Sequence, residues 1–92
     1  MITTIVLMKA EPKALTQAAT RIAGLEGVQE VYSVSGEWDL VAVVKVSEYE
    51  RIAEIVTHGI ANVAGIERTM TLTAFRAYSK KDLEQAWDIG VE

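Results

Sequence analysis

Leu25-Glu26-Gly27-Val28-Gln29-Glu30-Val31-Tyr32 is the stretch on which the fold turns, because its pattern recurs at Val63-Ala64-Gly65-Ile66-Glu67-Arg68-Thr69-Met70. In both copies a glycine stands one residue before an apolar, strand-like run, and Gly27 and Gly65 are 38 positions apart. An amphipathic helical pattern precedes each copy. In Lys13 to Ala23, Leu15, Ala18, Ala19 and Ile22 fall on one stripe at about 100° per residue, with Gln17, Thr20 and Arg21 opposite. In the second, Ile52, Ile55, Val56, Gly59, Ile60 and Val63 share a face. Ser47 is the expected N-cap there, and Gly24 the stop of the first helix.

Outward from these units the remaining strands follow. Ile2 to Lys9, rich in Ile, Val, Thr and Leu, reads as a buried first strand; Glu11-Pro12 ends it and suits a first helical turn. Val28 to Ser35 and Leu40 to Val46 are close enough to pair as an antiparallel hairpin through residues 36–39. Ile66 to Tyr78 is the fourth strand, with Thr69, Thr71 and Thr73 alternating against Met70, Leu72 and Ala74. Two β-α-β halves in tandem predict an α+β, ferredoxin-like βαββαβ fold: a four-stranded antiparallel sheet with two helices on one face. Val41 and Val43 face one way and Leu40, Ala42 and Val44 the other, so neither face of that strand is polar. The face without helices is therefore expected to be buried by a second subunit. Residues 1–78 form this domain. Residues 79–92 form a C-terminal extension in which Leu83, Ala86, Trp87 and Ile89 suit the apolar stripe of a short helix.

Composition narrows the function. Ninety-two residues make one domain, half of them hydrophobic, with no cysteine to supply a disulfide, a thiol nucleophile or a zinc-thiolate site. So short a chain buries little of its surface alone, and self-association is the expected remedy. The net charge is −4, and the nine basic residues are scattered, which argues against direct nucleic-acid binding. No apolar run approaches the roughly 20 residues that span a bilayer. The start of the chain reads as a strand rather than a signal peptide, and a cytoplasmic setting is expected.

The chemistry on offer is sparse. His58, the only histidine, lies about 240° round its helix from Ile52 and reads as a surface residue. Glu48, Glu50 and Glu54 decorate the same solvated helix. No Ser-His-Asp set, HExxH, phosphate-binding loop or GxGxxG is present, and no metal, cofactor or catalytic group is expected. The informative loop is Val34-Ser35-Gly36-Glu37-Trp38-Asp39-Leu40. Gly36 permits a tight turn or a close backbone approach, Trp38 offers a large apolar surface, and Asp39 fixes a charge at the mouth of a strand. A small amphoteric ligand suits it: Asp39 for an ammonium group, backbone N–H groups around Gly36 for a carboxylate. The alternative at the same residues is that Asp39 caps the hairpin by bonding its own backbone while Trp38 fills an oligomer contact.

The chain resembles the effector-binding (RAM) domain of the Lrp/AsnC transcriptional regulators. The loop is similar to that family's V-[ST]-G-x-[YFW]-D signature, and the 63–72 segment to its P-G-V-x-x-T-x-T pattern, with Ala64 in place of the usual proline. The resemblance covers the chain to about Tyr78. It implies an amino-acid-sensing, non-enzymatic module, a homodimer packed sheet to sheet, larger ring-like oligomers, and effectors held in clefts between dimers. It singles out Gly36, Trp38, Asp39, Thr69 and Thr71 as ligand-binding residues. The sequence begins at the first strand, as in the family's stand-alone forms that lack a helix-turn-helix domain, so a regulatory role is expected to run through full-length Lrp/AsnC relatives. The competing reading is a small enzyme of the dimeric α+β-barrel type, which would need polar or ionisable groups on the core face.

Overall fold

A computed structural model describes residues 1–80, so the expected apolar stripe of Leu83, Ala86, Trp87 and Ile89 lies outside the described residues. Four strands, β1 (Ile2–Ala10), β2 (Val28–Ser33), β3 (Leu40–Val46) and β4 (Ile66–Thr73), form one antiparallel sheet in the order β2-β3-β1-β4. Helix α1 (Leu15–Ala23) follows a single 3-10 turn at Pro12–Ala14, where the proline stands in the first turn as expected. Helix α2 opens as a regular helix at Glu50–Ala53. It widens to a π-helix over Glu54–Gly59 and tightens to a 3-10 turn at Ile60–Asn62. The predicted βαββαβ arrangement holds.

The internal repeat is structural. Gly27 and Gly65 both adopt positive φ, 92° and 96°. Each is the third residue of a turn closed by a hydrogen bond, Val28 N–H to Leu25 O at 3.2 Å and Ile66 N–H to Val63 O at 3.1 Å. That conformation and bond mark a type II turn, which favours glycine at this position. Each glycine carbonyl then accepts a bond from a neighbouring strand end, Gly27 O from Lys45 N–H and Gly65 O from Glu11 N–H, both at 2.8 Å. The registers slip just beyond, between Val28 and Glu30 in β2 and opposite Ile66 and Arg68 in β4. Gln29 and Glu67 are thus the extra residues of equivalent bulges.

The core lies between sheet and helices. Val6 and Met8 of β1, Leu40, Ala42 and Val44 of β3, and Ile22 and Ile60 of the helices are fully buried. The α1 stripe packs as its spacing implied: Ala18 and Ile22 are buried, Leu15 and Ala19 partly so. In α2 the π-turn has a packing consequence. Ile60 N–H reaches back to both Ile55 O and Val56 O, and the five-residue step keeps Ile55 and Ile60 together over the core.

Gly24 ends α1 as expected, and the α2, β2 and β4 boundaries differ from the sequence reading. Ser47 makes no cap and α2 starts at Glu50. Val46 is still paired with Ile2, so residues 47–49 carry the chain out of the sheet. Gly24 is the C-cap of α1 but stays right-handed at φ −85°, and Gly27 makes the reversal. Strand β2 stops at Ser33, because the Val34 N–H to Asp39 O bond already closes the loop. Strand β4 ends at Thr73 rather than Tyr78. After Ala74 N–H donates to Thr3 O, β1 has almost run out and offers no further partner.

Register fixes the two faces. Thr69, Thr71 and Thr73 lie beside Met8, Val6 and Thr4 on the helix side. Arg68, Met70 and Leu72 lie beside Lys9, Leu7 and Ile5 on the other. That second face also carries Val41, Val43 and Tyr32, and among the described residues no helix covers it. Tyr32, Met70 and Leu72 are close to half exposed. The Tyr32 phenol is held above its ordinary pKa by its hydrogen bond to Glu30, with desolvation and the Glu30 charge acting in the same sense, so it stays neutral at physiological pH.

Substitutions at two glycines separate backbone strain from packing. A Cβ on Gly65 would collide with the Ala14 Cβ, whereas one on Gly36, at φ 116°, meets nothing within 4 Å. Gly36→Ala should therefore cost about 1 kcal/mol and Gly65→Ala about 2–4 kcal/mol in denaturant unfolding. The Thr4 hydroxyl is fully buried without a partner. Thr4→Val should leave stability unchanged or raise it by up to about 1 kcal/mol in the same assay.

Candidate functional site

The loop between β2 and β3 reaches the Ala10 end of β1, and its geometry is set by backbone bonding there. Asp39 N–H donates to Met8 O at 2.9 Å, extending the β1–β3 ladder one residue beyond Leu40. The carboxylate then continues it: Asp39 Oδ2 accepts the Ala10 N–H at 2.9 Å. A side-chain oxygen here does the work of a strand carbonyl, at the point where the neighbouring ladder is bulged. The carboxylate does bond backbone, but that of β1, 29 positions away, rather than capping its own hairpin as the alternative reading had it. Asp39 Oδ2 also lies 3.9 Å from Lys9 Nζ, and that ammonium donates to Glu37 O. Both side chains are about one-third exposed, so the ion pair itself contributes little.

Trp38 is half-buried, not free at the tip of the loop. Its indole ring lies under the guanidinium of Arg68, whose carbon is 4.9 Å from the ring centroid. A cation over an aromatic face at this distance is worth roughly 0.5–1 kcal/mol when exposed. Arg68 is the register partner of Lys9. Two cations directly opposite on adjacent strands repel. Each is compensated differently, Lys9 by Asp39 and a carbonyl, Arg68 by the Trp38 ring.

Trp38 and Asp39 therefore form one cluster with Lys9, Ala10 and Arg68, while Gly36 stands exposed in the same loop with nothing within 4 Å of where a Cβ would lie. Thr69 and Thr71 do not join it within one chain. They point to the helix side, whereas Arg68, between Glu67 and Thr69, lies on the other face. Thr71 instead lines an open groove of about 540 Å³ between β4 and α2, with Thr73, Tyr49, Ile52, Val56 and Thr57. Lys9 and Arg68 carried no signal in the sequence beyond being two of its scattered cations. Only the strand register makes them neighbours. His58 is exposed, as its position round the helix required. Among the described residues no three acidic or histidine side chains gather into a metal site, and no helix is long and apolar enough to cross a membrane.

Residues 3–83 match the family described as the Lrp/AsnC ligand binding domain. An uncharacterised HTH-type transcriptional regulator of Pyrococcus horikoshii is 38% identical over 76 residues, covering 79% of this chain and 51% of that protein. The chain thus spans about half the length of the curated relatives it matches. Among solved structures, TTHA0845 from Thermus thermophilus is 45% identical with a TM-score of 0.82, covering 87% of this chain and all of that one. A transcriptional regulator of Neisseria meningitidis, solved as a complex with L-Met, shares the fold at a TM-score of 0.77. It is 10% identical, with 85% of this chain and 52% of that one covered.

The bond from Ala10 to Asp39 makes a stability prediction. Asp39→Ala leaves a part-buried N–H without its acceptor and should cost about 1–2 kcal/mol in denaturant unfolding. Asp39→Asn keeps a side-chain oxygen for that bond and should lose less than half as much.

Proposed function

The chain belongs to the Lrp/AsnC ligand-binding-domain family, and we propose that it senses an amino acid or related small metabolite and couples binding to assembly. The observation that carries this reading is the helix-free face of the sheet. Ile5, Leu7, Val41, Val43, Met70 and Leu72 form a contiguous apolar surface that the helices among the described residues leave uncovered. Apolar patches of this kind mark association sites, and a second copy packed sheet to sheet covers it. The charged residues Lys9 and Arg68 stand at one end of that surface, in the position of a polar rim.

The effector site in this reading is shared between subunits. The loop cluster of Gly36, Trp38 and Asp39 and the pair Thr69 and Thr71 lie on different sides of one sheet, so a ligand touching both needs protomers side by side. A domain this small suits an interface cleft better than an enclosed pocket. Asp39 Oδ2 is engaged, and the other carboxylate oxygen is the one to accept an ammonium group. The L-Met complex of the structural neighbour supports an amino acid as the ligand class. A ligand held by two subunits favours the assembled state, which turns effector concentration into oligomer size. Regulation of transcription is then the output of that change in assembly, in a cytoplasmic setting.

A non-enzymatic role is supported by the space in which a barrel-type enzyme would place its chemistry. Between sheet and helices that space is filled by Met8, Ile22, Leu40 and Ile60, and the buried polar side chain among the described residues is Thr4.

Analytical ultracentrifugation tests the assembly. The wild-type chain should sediment as a dimer or larger species at micromolar concentration. Val43→Glu, which sets a charge in the centre of the apolar face, should shift it to monomer by weakening association at least about a hundredfold. A wild-type chain that stays monomeric and folded at high concentration would sink the proposal.

A further inference from the structure

The loop cluster holds a cation that no carboxylate among the described residues pairs. Lys9 and Asp39 neutralise each other at 3.9 Å. Arg68 has no carboxylate within ion-pair distance among the described residues, and no hydrogen bond to its guanidinium is formed there. Its one fixed contact is the Trp38 ring, 4.9 Å from the guanidinium carbon. An aromatic face stabilises a cation without engaging it as a donor to an oxygen or nitrogen acceptor. It also limits where the long side chain can go, which lowers the entropy lost when a ligand arrives. The guanidinium offers five N–H donors in a planar fork that matches a carboxylate in bidentate geometry.

We propose that Arg68, positioned by Trp38, is the receptor for the effector's carboxylate. This rests on the reading that an amino acid or related metabolite binds at the loop. It deepens that reading by assigning the two ends of the ligand. The ammonium group goes to the unengaged oxygen of Asp39 and the carboxylate to Arg68, with the Trp38 ring against the aliphatic part. The arrangement replaces the carboxylate role expected of backbone N–H groups around Gly36. Arg68 then sets specificity: the site takes α-amino acids and other carboxylates, and discriminates against amines and amides of the same side chain.

Calorimetric titration of the intact chain tests this, with the twenty standard L-amino acids as probes and the carboxamide of whichever binds most tightly. Wild type should prefer the free acid over its amide by about tenfold or more, the range of a charge-assisted hydrogen bond. Arg68→Gln should lose that preference, with acid affinity falling to the level of the amide, while Arg68→Lys should keep part of it. Trp38→Ala should weaken the acid more than the amide, as expected of a positioning residue. If Arg68→Gln binds the acid as tightly as wild type, or weakens acid and amide equally, the assignment of Arg68 is overturned while amino-acid sensing stands. If wild type binds none of the twenty, both fall together.

Discussion

A four-stranded sheet has two faces, and among the described residues helices cover only one of them. That constraint organises the rest of the molecule. The helix side absorbs the largest buried side chains, Met8, Leu40, Ile22 and Ile60. The opposite side carries residues of the same kind, Ile5, Leu7, Val41 and Val43, with only water against them in a single chain. In a domain of this size the unburied apolar area is a large fraction of what could stabilise the fold. The proposed partner sheet would supply the missing cover, and the membership of the chain in a ligand-binding-domain family fits that proposal.

The loop at the end of the sheet shows how the same few residues can be structural and available at once. Asp39 lends one oxygen to the Ala10 amide, so its position is fixed by the β1–β3 ladder rather than by its own rotamer preference. Trp38 is held half-buried against Arg68. A binding surface made of groups already fixed by backbone bonds and stacking loses little entropy when occupied. The cost is that changes here affect folding as well as recognition, and Asp39 is the clearest case.

Much of the fold was legible because it rests on local rules repeated twice. Gly27 and Gly65 announced equivalent turns, and both proved to need positive φ for the same reason, a type II turn leading into a bulged strand. The α1 stripe and the alternation in β3 mapped directly onto burial. The boundaries were less legible. Ser47 has the chemistry of an N-cap, yet the pairing of Val46 with Ile2 keeps the chain in the sheet too long for it to serve. The apolar character of residues 74–78 suggested more strand, but a strand requires a neighbour and β1 ends first. Of the candidate site, Gly36, Trp38 and Asp39 were readable as a cluster because they are adjacent in sequence. Thr69 and Thr71 were readable only as one side of an alternation, not as the helix side.

The sequence by itself determined the element order, the two glycine turns, the amphipathic helix faces and an apolar surplus too large for one chain to bury. These follow from periodicity and backbone sterics, which act between residues close along the chain. Only the tertiary structure decided that Arg68 faces Lys9, that Trp38 meets Arg68, and that Asp39 bonds Ala10 rather than its own loop. Those contacts join residues 29 to 59 positions apart. Strand register sets them, and register is fixed by the packing of the whole sheet against its helices.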